Sequence, residues 1–161
     1  MGKVMSYAVE VEGEEAMQRL GADIARALVG RGVVYLEGNL GMGKTTLSRG
    51  MIRGLGHEGA VKSPTFTLVE PYELATAQVY HFDLYRLVDP EELEFLGVRD
   101  YFSAGNLCLV EWPEKGHGVL PRPDLRITID VKGAGRRLLL TAETEHGQAS
   151  CHRLEQERSK A

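Results

Sequence analysis

A glycine-rich stretch near residue 40 has the spacing of a phosphate-binding loop. Gly38 is followed by four residues and then by Gly43, Lys44 and Thr45, which is the P-loop pattern. Glycines let a polyphosphate approach bare backbone amides, and the positive end of the following helix faces the anion. A lysine at this position reaches the outer phosphates, and the next hydroxyl holds Mg²⁺. The pattern therefore predicts binding of a magnesium nucleotide.

The residues on both sides of this loop support the motif. A β-branched apolar run at residues 33–37 precedes it, and apolar residues at helical spacing follow over residues 47–55. A dinucleotide fingerprint beginning at Gly41 is discarded because its sixth position is Thr46 rather than glycine. A glycine-rich turn without a ligand is disfavoured because the full motif lies between a strand and a helix. The residues expected to bind the nucleotide are Gly38, Asn39, Gly41, Met42, Gly43, Lys44, Thr45 and Thr46.

Two acidic residues, Asp83 and Glu111, each end a predicted strand. Glu111 follows four apolar residues, which is typical of a strand buried on both faces, and Pro113 ends that strand. In open α/β sheets, ligands bind beyond the carboxyl ends of the strands, so we expect Glu111 to share the metal with Thr45. Asp83 is expected to orient water or the waters of the metal. Without the phosphate loop, solvated surface acids would be the simpler interpretation.

The segment at residues 59–67 is predicted to be an ordered loop, because Pro64 excludes a central strand and keeps Ser63 extended. Many P-loop proteins place a segment that senses the terminal phosphate at about this point in the chain. Thr65 is therefore a candidate catalytic residue, together with Lys44 and Asp83. A plain connection made of ordinary turn residues is the open alternative.

Three further residues have simple structural explanations. His81 lies in a predicted strand, so a packed, hydrogen-bonded side chain is favoured over a general base. Trp112, the single tryptophan, could line the nucleotide pocket or a partner surface, with core filling as the default. Cys108 is predicted to be a small buried hydrophobe, and the two cysteines of the chain lack zinc-ligand spacing.

The composition is ordinary for a globular protein, with 43% hydrophobic and 26% charged residues among 161. We expect one domain over residues 1–161, with residues from about 146 to 161 as a mobile tail. No apolar run approaches the length of a membrane span and no signal-peptide core is seen, so a cytoplasmic protein without a membrane partner is expected. The net charge of -4 argues against tight, unaided binding to nucleic acid.

Hydrophobic periodicity and turn residues predict an α/β fold, with a P-loop NTPase-like mixed parallel and antiparallel sheet flanked by helices. The predicted elements are an edge strand at 7–11, a core helix from 14 to 28, the strand-loop-helix unit to about 55, an antiparallel pair at 67–74 and 78–84, short helices over 90–102, a buried strand from 107 and a hairpin at 124–131 and 136–142. Beyond Glu145 the polar sequence predicts a frayed tail or a short helix.

The sequence favours ATP over GTP as the nucleotide. A guanine-reading Asn-Lys-x-Asp motif is absent from the sequence, and the single Asp-x-x-Gly, from Asp130 to Gly133, comes too late for a phosphate-sensing switch. The arginines are dispersed and no basic lid segment stands out, so a pocket for a small phosphate acceptor is not visible. A small-molecule kinase and a nucleotide-binding regulator without turnover remain the alternatives to an ATPase.

Four blocks of sequence in this order resemble the TsaE (YjeE) family of bacterial P-loop ATPases. The blocks are residues 37–46, residues 62–69, the His-Phe-Asp-Leu-Tyr-Arg-Leu run at 81–87, and the Val-Glu-Trp-Pro run at 110–113. The resemblance covers residues from about 13 to 131. One departure is Met42, where alanine is common in the family.

The resemblance implies a role in making threonylcarbamoyladenosine beside the anticodon of tRNAs that read codons starting with A. It implies that the chain binds the TsaB-TsaD heterodimer, contacts tRNA only through partners, and hydrolyses ATP to permit repeated turnover. By the same resemblance, residues 41–46 hold phosphates, Thr45 and Glu111 hold Mg²⁺, and Asp83 supports hydrolysis. Residues 63–65 match the switch-like segment of the family, and Trp112 matches the tryptophan that follows its metal acid.

Overall fold

A computed structural model describes residues 5–103 and 105–160 of the chain. Over these residues seven strands form one sheet, and helices cover both of its faces. The strands are β1 (Ser6–Val11), β2 (Gly32–Glu37), β3 (Val69–Glu73), β4 (Gln78–Asp83), β5 (Asn106–Glu111), β6 (Leu125–Lys132) and β7 (Gly135–Ala142). The helices are α1 (Glu14–Ala27), α2 (Lys44–Gly54), α3 (Glu91–Phe95), α4 (Val98–Tyr101) and α5 (Glu145–Ser159), with a 3₁₀ helix at Pro113–Gly116.

The sheet is mixed, with the strand order β1-β7-β6-β2-β5-β4-β3. Strand β2 lies at the centre and pairs in parallel with β5 and β6, and β4 pairs in parallel with β5. The outer pairs β1/β7, β6/β7 and β3/β4 are antiparallel. The predicted fold class is confirmed, as are the edge strand β1, the β3/β4 pair, the two short helices and the β6/β7 hairpin.

Alternating side chains of β5 build two separate cores on the two faces of the sheet. Leu107 and Leu109 point to the core that contains α1, α2 and α5. Cys108 and Val110 point to the other core, which includes Leu93 of α3. These four side chains are fully buried, as the apolar run predicted, and Cys108 is the small buried hydrophobe expected.

Helix α2, which begins at Lys44, is packed unusually closely against α1. A Cβ placed on Gly50 would lie 2.2 Å from the backbone oxygen of Gln18, and one on Gly21 would lie 2.4 Å from that of Leu47. Side chains at either position would push the helices apart, so these glycines let the two backbones approach. The close contact therefore fixes α2 against α1.

Of the two alternatives predicted after Glu145, a frayed or mobile tail and a short helix, the structure has a helix, and α5 is longer than expected at 15 residues. The Thr144 side chain accepts a hydrogen bond from the backbone N-H of Gly147, which caps the helix. Cys151 and Leu154 are buried in the core beside α1. The sequence contains little indication of this helix, because few of its positions are apolar.

Among the described residues no helix is long and apolar enough to cross a membrane.

Candidate nucleotide-binding site

The carboxyl ends of β2, β4 and β5 meet at one edge of the sheet, where the chain forms an open cavity of about 440 Å³. Asp83 and Glu111, the last residues of β4 and β5, stand opposite each other in the parallel register. This is the arrangement expected for acids that follow neighbouring strands. The cavity is lined by Leu40, Gly41, Gly43, Lys44, Thr45, Thr46, Ser63, Thr65, Asp83, Tyr85, Arg86, Glu111 and Trp112.

The phosphate-binding loop connects β2 to α2 and has a conformation that requires glycine. Gly41 and Gly43 have φ angles of +81° and +111°, which strain other residues. A Cβ on Gly38 would lie 2.9 Å from the backbone oxygen of Ile129, so a loop with a side chain at this position could not lie this close to β6. Arg136 donates from Nε to the Met42 carbonyl oxygen at 3.2 Å and holds the loop from the β7 side.

Three predicted loop residues lie away from the wall of this cavity. The carbonyl oxygen of Gly38 accepts a hydrogen bond from Lys44, and that of Asn39 accepts one from the Met42 amide at 3.3 Å. Met42 is partly buried and packs against the core, so its side chain does not obstruct the phosphate side of the loop. Gly38 and Asn39 shape the loop through these carbonyl oxygens, and Met42 borders a second cavity on the other side of the loop, so the nucleotide contacts expected of the three residues stay predictions.

Lys44 is folded back onto the loop. Its Nζ donates to the Gly38 carbonyl oxygen at 2.6 Å and lies 3.5 Å from the centroid of the Trp112 ring. Only 5% of the residue is exposed, and burial lowers the pKa of its ammonium group, although Glu111, Glu114 and Asp83 raise it. The site therefore holds a largely desolvated cation, which an anionic ligand would stabilise.

Thr45 and Glu111 converge, as the sequence predicted. The Thr45 hydroxyl Oγ1 lies 3.3 Å from Oε1 and 3.4 Å from Oε2 of the Glu111 carboxylate. Glu111 is only 3% exposed, and its Oε2 also lies 2.6 Å from Nε2 of His81, which is fully buried. One hydroxyl and one carboxylate at the mouth of a phosphate loop are the protein ligands that Mg²⁺ uses beside a nucleotide.

Asp83 is tied to the loop at residues 63–67. Its Oδ2 accepts a hydrogen bond from the Thr65 hydroxyl at 3.3 Å, and its Oδ1 accepts one from the Tyr85 amide at 3.0 Å. The Ser63 and Thr65 hydroxyls are 2.7 Å apart. The structure thus brings the predicted candidates Asp83 and Thr65 into contact at the wall of the cavity.

Sequence reasoning missed several contacts of this site. His81 is packed and hydrogen-bonded as predicted, but its partner, Glu111, was not foreseen. Trp112 is only half-buried and lines the cavity as well as touching the core, so core filling was an incomplete expectation. Arg86 also lines the cavity, and its guanidinium carbon lies 4.5 Å from the Phe66 ring centroid. Arg86 follows Asp83 by only three residues, and this closeness in sequence could have indicated that it lies at the cavity.

A second cavity of about 280 Å³ lies on the other side of the phosphate loop. It shares Gly41, Gly43 and Thr46 with the first cavity, so the two cavities border the same residues of the loop. Its other lining residues come from the start of α1, the loop and the β6/β7 turn, and include Glu14, Met17, Met42, Gly135 and Arg136. The glycine-lined loop, the helix start, the buried lysine and the hydroxyl-carboxylate pair fit a magnesium nucleotide in their chemistry.

The comparison with known proteins agrees with this geometry. A family model described as "Threonylcarbamoyl adenosine biosynthesis protein TsaE" matches residues 11–139. The chain belongs to the TsaE family. The resemblance found in the sequence is therefore confirmed, and with it a role in tRNA threonylcarbamoyladenosine biosynthesis.

Individual relatives cover most of the chain. The TsaE protein of Haemophilus influenzae is 58% identical over 116 residues, which are 72% of this chain and 73% of that protein. The TsaE protein of Bacillus subtilis is 37% identical over 147 residues, which are 91% of this chain and 90% of that protein. The crystal structure of YdiB from Bacillus subtilis matches with a TM-score of 0.81 and 28% identity, covering 98% of this chain and 99% of that one. The TsaE fold thus extends over nearly the whole chain.

Proposed function

We propose that this chain binds ATP with Mg²⁺ along the phosphate loop and hydrolyses it. Hydrolysis would serve tRNA threonylcarbamoyladenosine biosynthesis through the TsaB-TsaD heterodimer, which the chain would bind. The observation that carries the proposal is the closeness of Thr45 and Glu111 at a cavity that the phosphate loop lines. The Oγ1 atom of Thr45 lies 3.3 Å from Oε1 of Glu111. The triphosphate would occupy this cavity, and the base would occupy the second cavity beyond Thr46.

The residues of the loop would bind the phosphates. The left-handed glycines Gly41 and Gly43 leave the backbone amides open to a ligand, and the first turn of α2 adds its positive end. Lys44 would exchange the Gly38 carbonyl and the Trp112 ring for phosphate oxygens, which suits its desolvated charge. Thr45 and Glu111 would hold Mg²⁺, which neutralises phosphate oxygens when it is bound.

Asp83 would hold the attacking water. Its carboxylate is only 8% exposed, and the Thr65 hydroxyl and the Tyr85 amide fix its orientation. A carboxylate can accept further hydrogen bonds, so it can take one from a water placed in line with the terminal phosphate. Thr65 connects this acid to the loop at residues 63–67, which would make the position of Asp83 sensitive to that loop.

The surface around this loop supports control by a partner. Phe66 is 82% exposed and carries the guanidinium of Arg86 above its ring, at the edge of the cavity. A protein that covers Phe66 would therefore contact the loop that bears Thr65. The net charge of -4 favours an indirect link to tRNA over direct binding of its backbone.

A reconstitution tests the proposal. Phosphate release from ATP is measured with and without Mg²⁺, and with and without TsaB-TsaD, beside the extent of tRNA modification. We expect Mg²⁺-dependent release that TsaB-TsaD accelerates and that the Lys44→Ala variant loses. Phosphorylation of a metabolite would instead indicate a kinase, and ATP binding without release even with TsaB-TsaD would indicate a regulator.

A further inference from the structure

The buried side chain next to the metal acid is His81. It lies inside β4, two residues before Asp83, and none of its surface is exposed. Its Nε2 lies 2.6 Å from Oε2 of Glu111, across the parallel β4/β5 pair. It does not line the cavity, so it cannot touch a bound phosphate directly. Its contact with the site runs through Glu111.

The two ring nitrogens of His81 have different surroundings. A carboxylate oxygen accepts hydrogen bonds, so Nε2 is the donor in the contact with Glu111. The other nitrogen, Nδ1, is buried and has no hydrogen-bond partner among the described residues.

The surroundings of His81 make a purely structural role a poor explanation. Its neighbours Val79 and Phe82 on the strand and Leu109 opposite it in the register are fully buried apolar residues. A buried nitrogen without a hydrogen-bond partner destabilises the fold, and an apolar side chain would fill this position without one. The unpaired Nδ1 lowers the stability of the fold, and the hydrogen bond of His81 to Glu111 explains why a histidine occupies this position nonetheless.

We propose that His81 is a positioning residue that fixes the Glu111 carboxylate for Mg²⁺. This inference rests on the proposed function. Oε2 of Glu111 is held by His81, which sets the plane of the carboxylate relative to the Thr45 hydroxyl, 3.3 Å from Oε1. Mg²⁺ requires near-octahedral geometry, so a freely rotating carboxylate binds it less well. Loss of such a supporting hydrogen bond typically weakens metal binding by about 10-fold to 100-fold.

Two amide substitutions of His81 test this role. In His81→Gln the amide nitrogen reaches about where Nε2 stood, and in His81→Asn it reaches only the position of Nδ1. Binding of Mn²⁺, as a probe of the Mg²⁺ site, is measured by electron paramagnetic resonance in the presence of ADP. We expect His81→Asn to bind Mn²⁺ about 10-fold to 100-fold more weakly, and His81→Gln to stay within about threefold of the wild type.

The control is Val79→Ala, on the same strand and equally buried, which removes packing without touching Glu111. We expect it to lower the melting temperature and leave the Mn²⁺ affinity unchanged. The inference is overturned if His81→Asn binds Mn²⁺ like the wild type, if Val79→Ala weakens Mn²⁺ equally, or if His81→Gln is as impaired as His81→Asn. The wild-type protein separates this inference from the proposed function. If it binds ADP and Mn²⁺, the variants can overturn the role of His81 while the proposed function stands. If it binds neither ADP nor Mn²⁺, both the role of His81 and the proposed function are overturned.

Discussion

Replacing Glu111 by glutamine keeps the shape of the side chain and removes its charge. In the folded chain Oε2 accepts from His81 at 2.6 Å, and Oε1 lies 3.3 Å from the Thr45 hydroxyl. Glutamine has one oxygen, so its NH₂ group must face one of these two donors. The Thr45 hydroxyl can rotate and accept from that NH₂ group. This rearrangement places an amide N-H, which cannot bind Mg²⁺, beside Thr45 where a carboxylate oxygen would hold the metal.

The effect on folding should be small and the effect on turnover large. Hydrogen bonds to charged groups contribute about 1.5–3 kcal/mol and neutral ones about 0.5–1.5 kcal/mol, so converting two of them costs roughly 2 kcal/mol of unfolding free energy. For a domain of this size that lowers the melting temperature by roughly 4–8 °C. A metal supplies several kcal/mol of transition-state stabilisation, and losing about 3 kcal/mol slows hydrolysis roughly 100-fold.

The assay is steady-state phosphate release as a function of Mg²⁺ concentration, with thermal melting followed by circular dichroism on the same samples. The matched control is Glu114→Gln, which removes an exposed charge that also acts on Lys44 but lies outside the cavity wall. We expect the control to retain turnover within about threefold, because exposed charges are screened. Wild-type turnover with an unchanged Mg²⁺ midpoint in Glu111→Gln would refute the assignment of this acid to the metal.

Three further substitutions probe other parts of the site. Lys44→Met should abolish ATP binding in titration calorimetry without lowering the melting temperature, because burial already penalises this charge; retained binding would remove the lysine from the phosphate site. Asp83→Asn should bind ATP within about threefold of the wild type and hydrolyse it at least roughly tenfold more slowly, and normal turnover would contradict its role. Gly50→Ala places a Cβ 2.2 Å from the Gln18 carbonyl oxygen. It should cost about 1–3 kcal/mol and lower the melting temperature by roughly 5 °C, and an unchanged melting temperature would show that α1 and α2 can separate freely.

The sequence was sufficient for the parts of the site that are local. The glycine spacing predicted the phosphate loop, and Asp83 and Glu111 were found because each ends a strand, where ligands of α/β sheets bind. The expected closeness of Glu111 to Thr45 followed from the same rule and is seen in the structure, where Asp83 stands opposite Glu111 in the register. The predicted strand and helix boundaries of this unit agree with β2 and α2 to within a few residues.

The contacts that the sequence could not predict depend on register between distant strands. His81 reaches Glu111 because β4 and β5 pair in parallel with Asp83 opposite Glu111, and periodicity carries no information about that alignment. The stacking of Lys44 on Trp112 depends on the left-handed backbone of the tryptophan, which is unusual for a non-glycine residue. Helix α5 was underestimated because its burial rests on a few residues, Cys151 and Leu154 among them.

The backbone contact of α1 with α2 at Gly21 and Gly50 has a mechanical consequence. Backbones this close leave little room for α2 to tilt towards α1, so the side of the cavity that begins at Lys44 is held against α1. If the cavity binds a nucleotide as proposed, a shape change that follows its state would fall in the opposite wall, where Thr65 donates to Asp83 and Phe66 is exposed to solvent. Under the proposed function, a partner protein that distinguishes nucleotide states would then contact that wall.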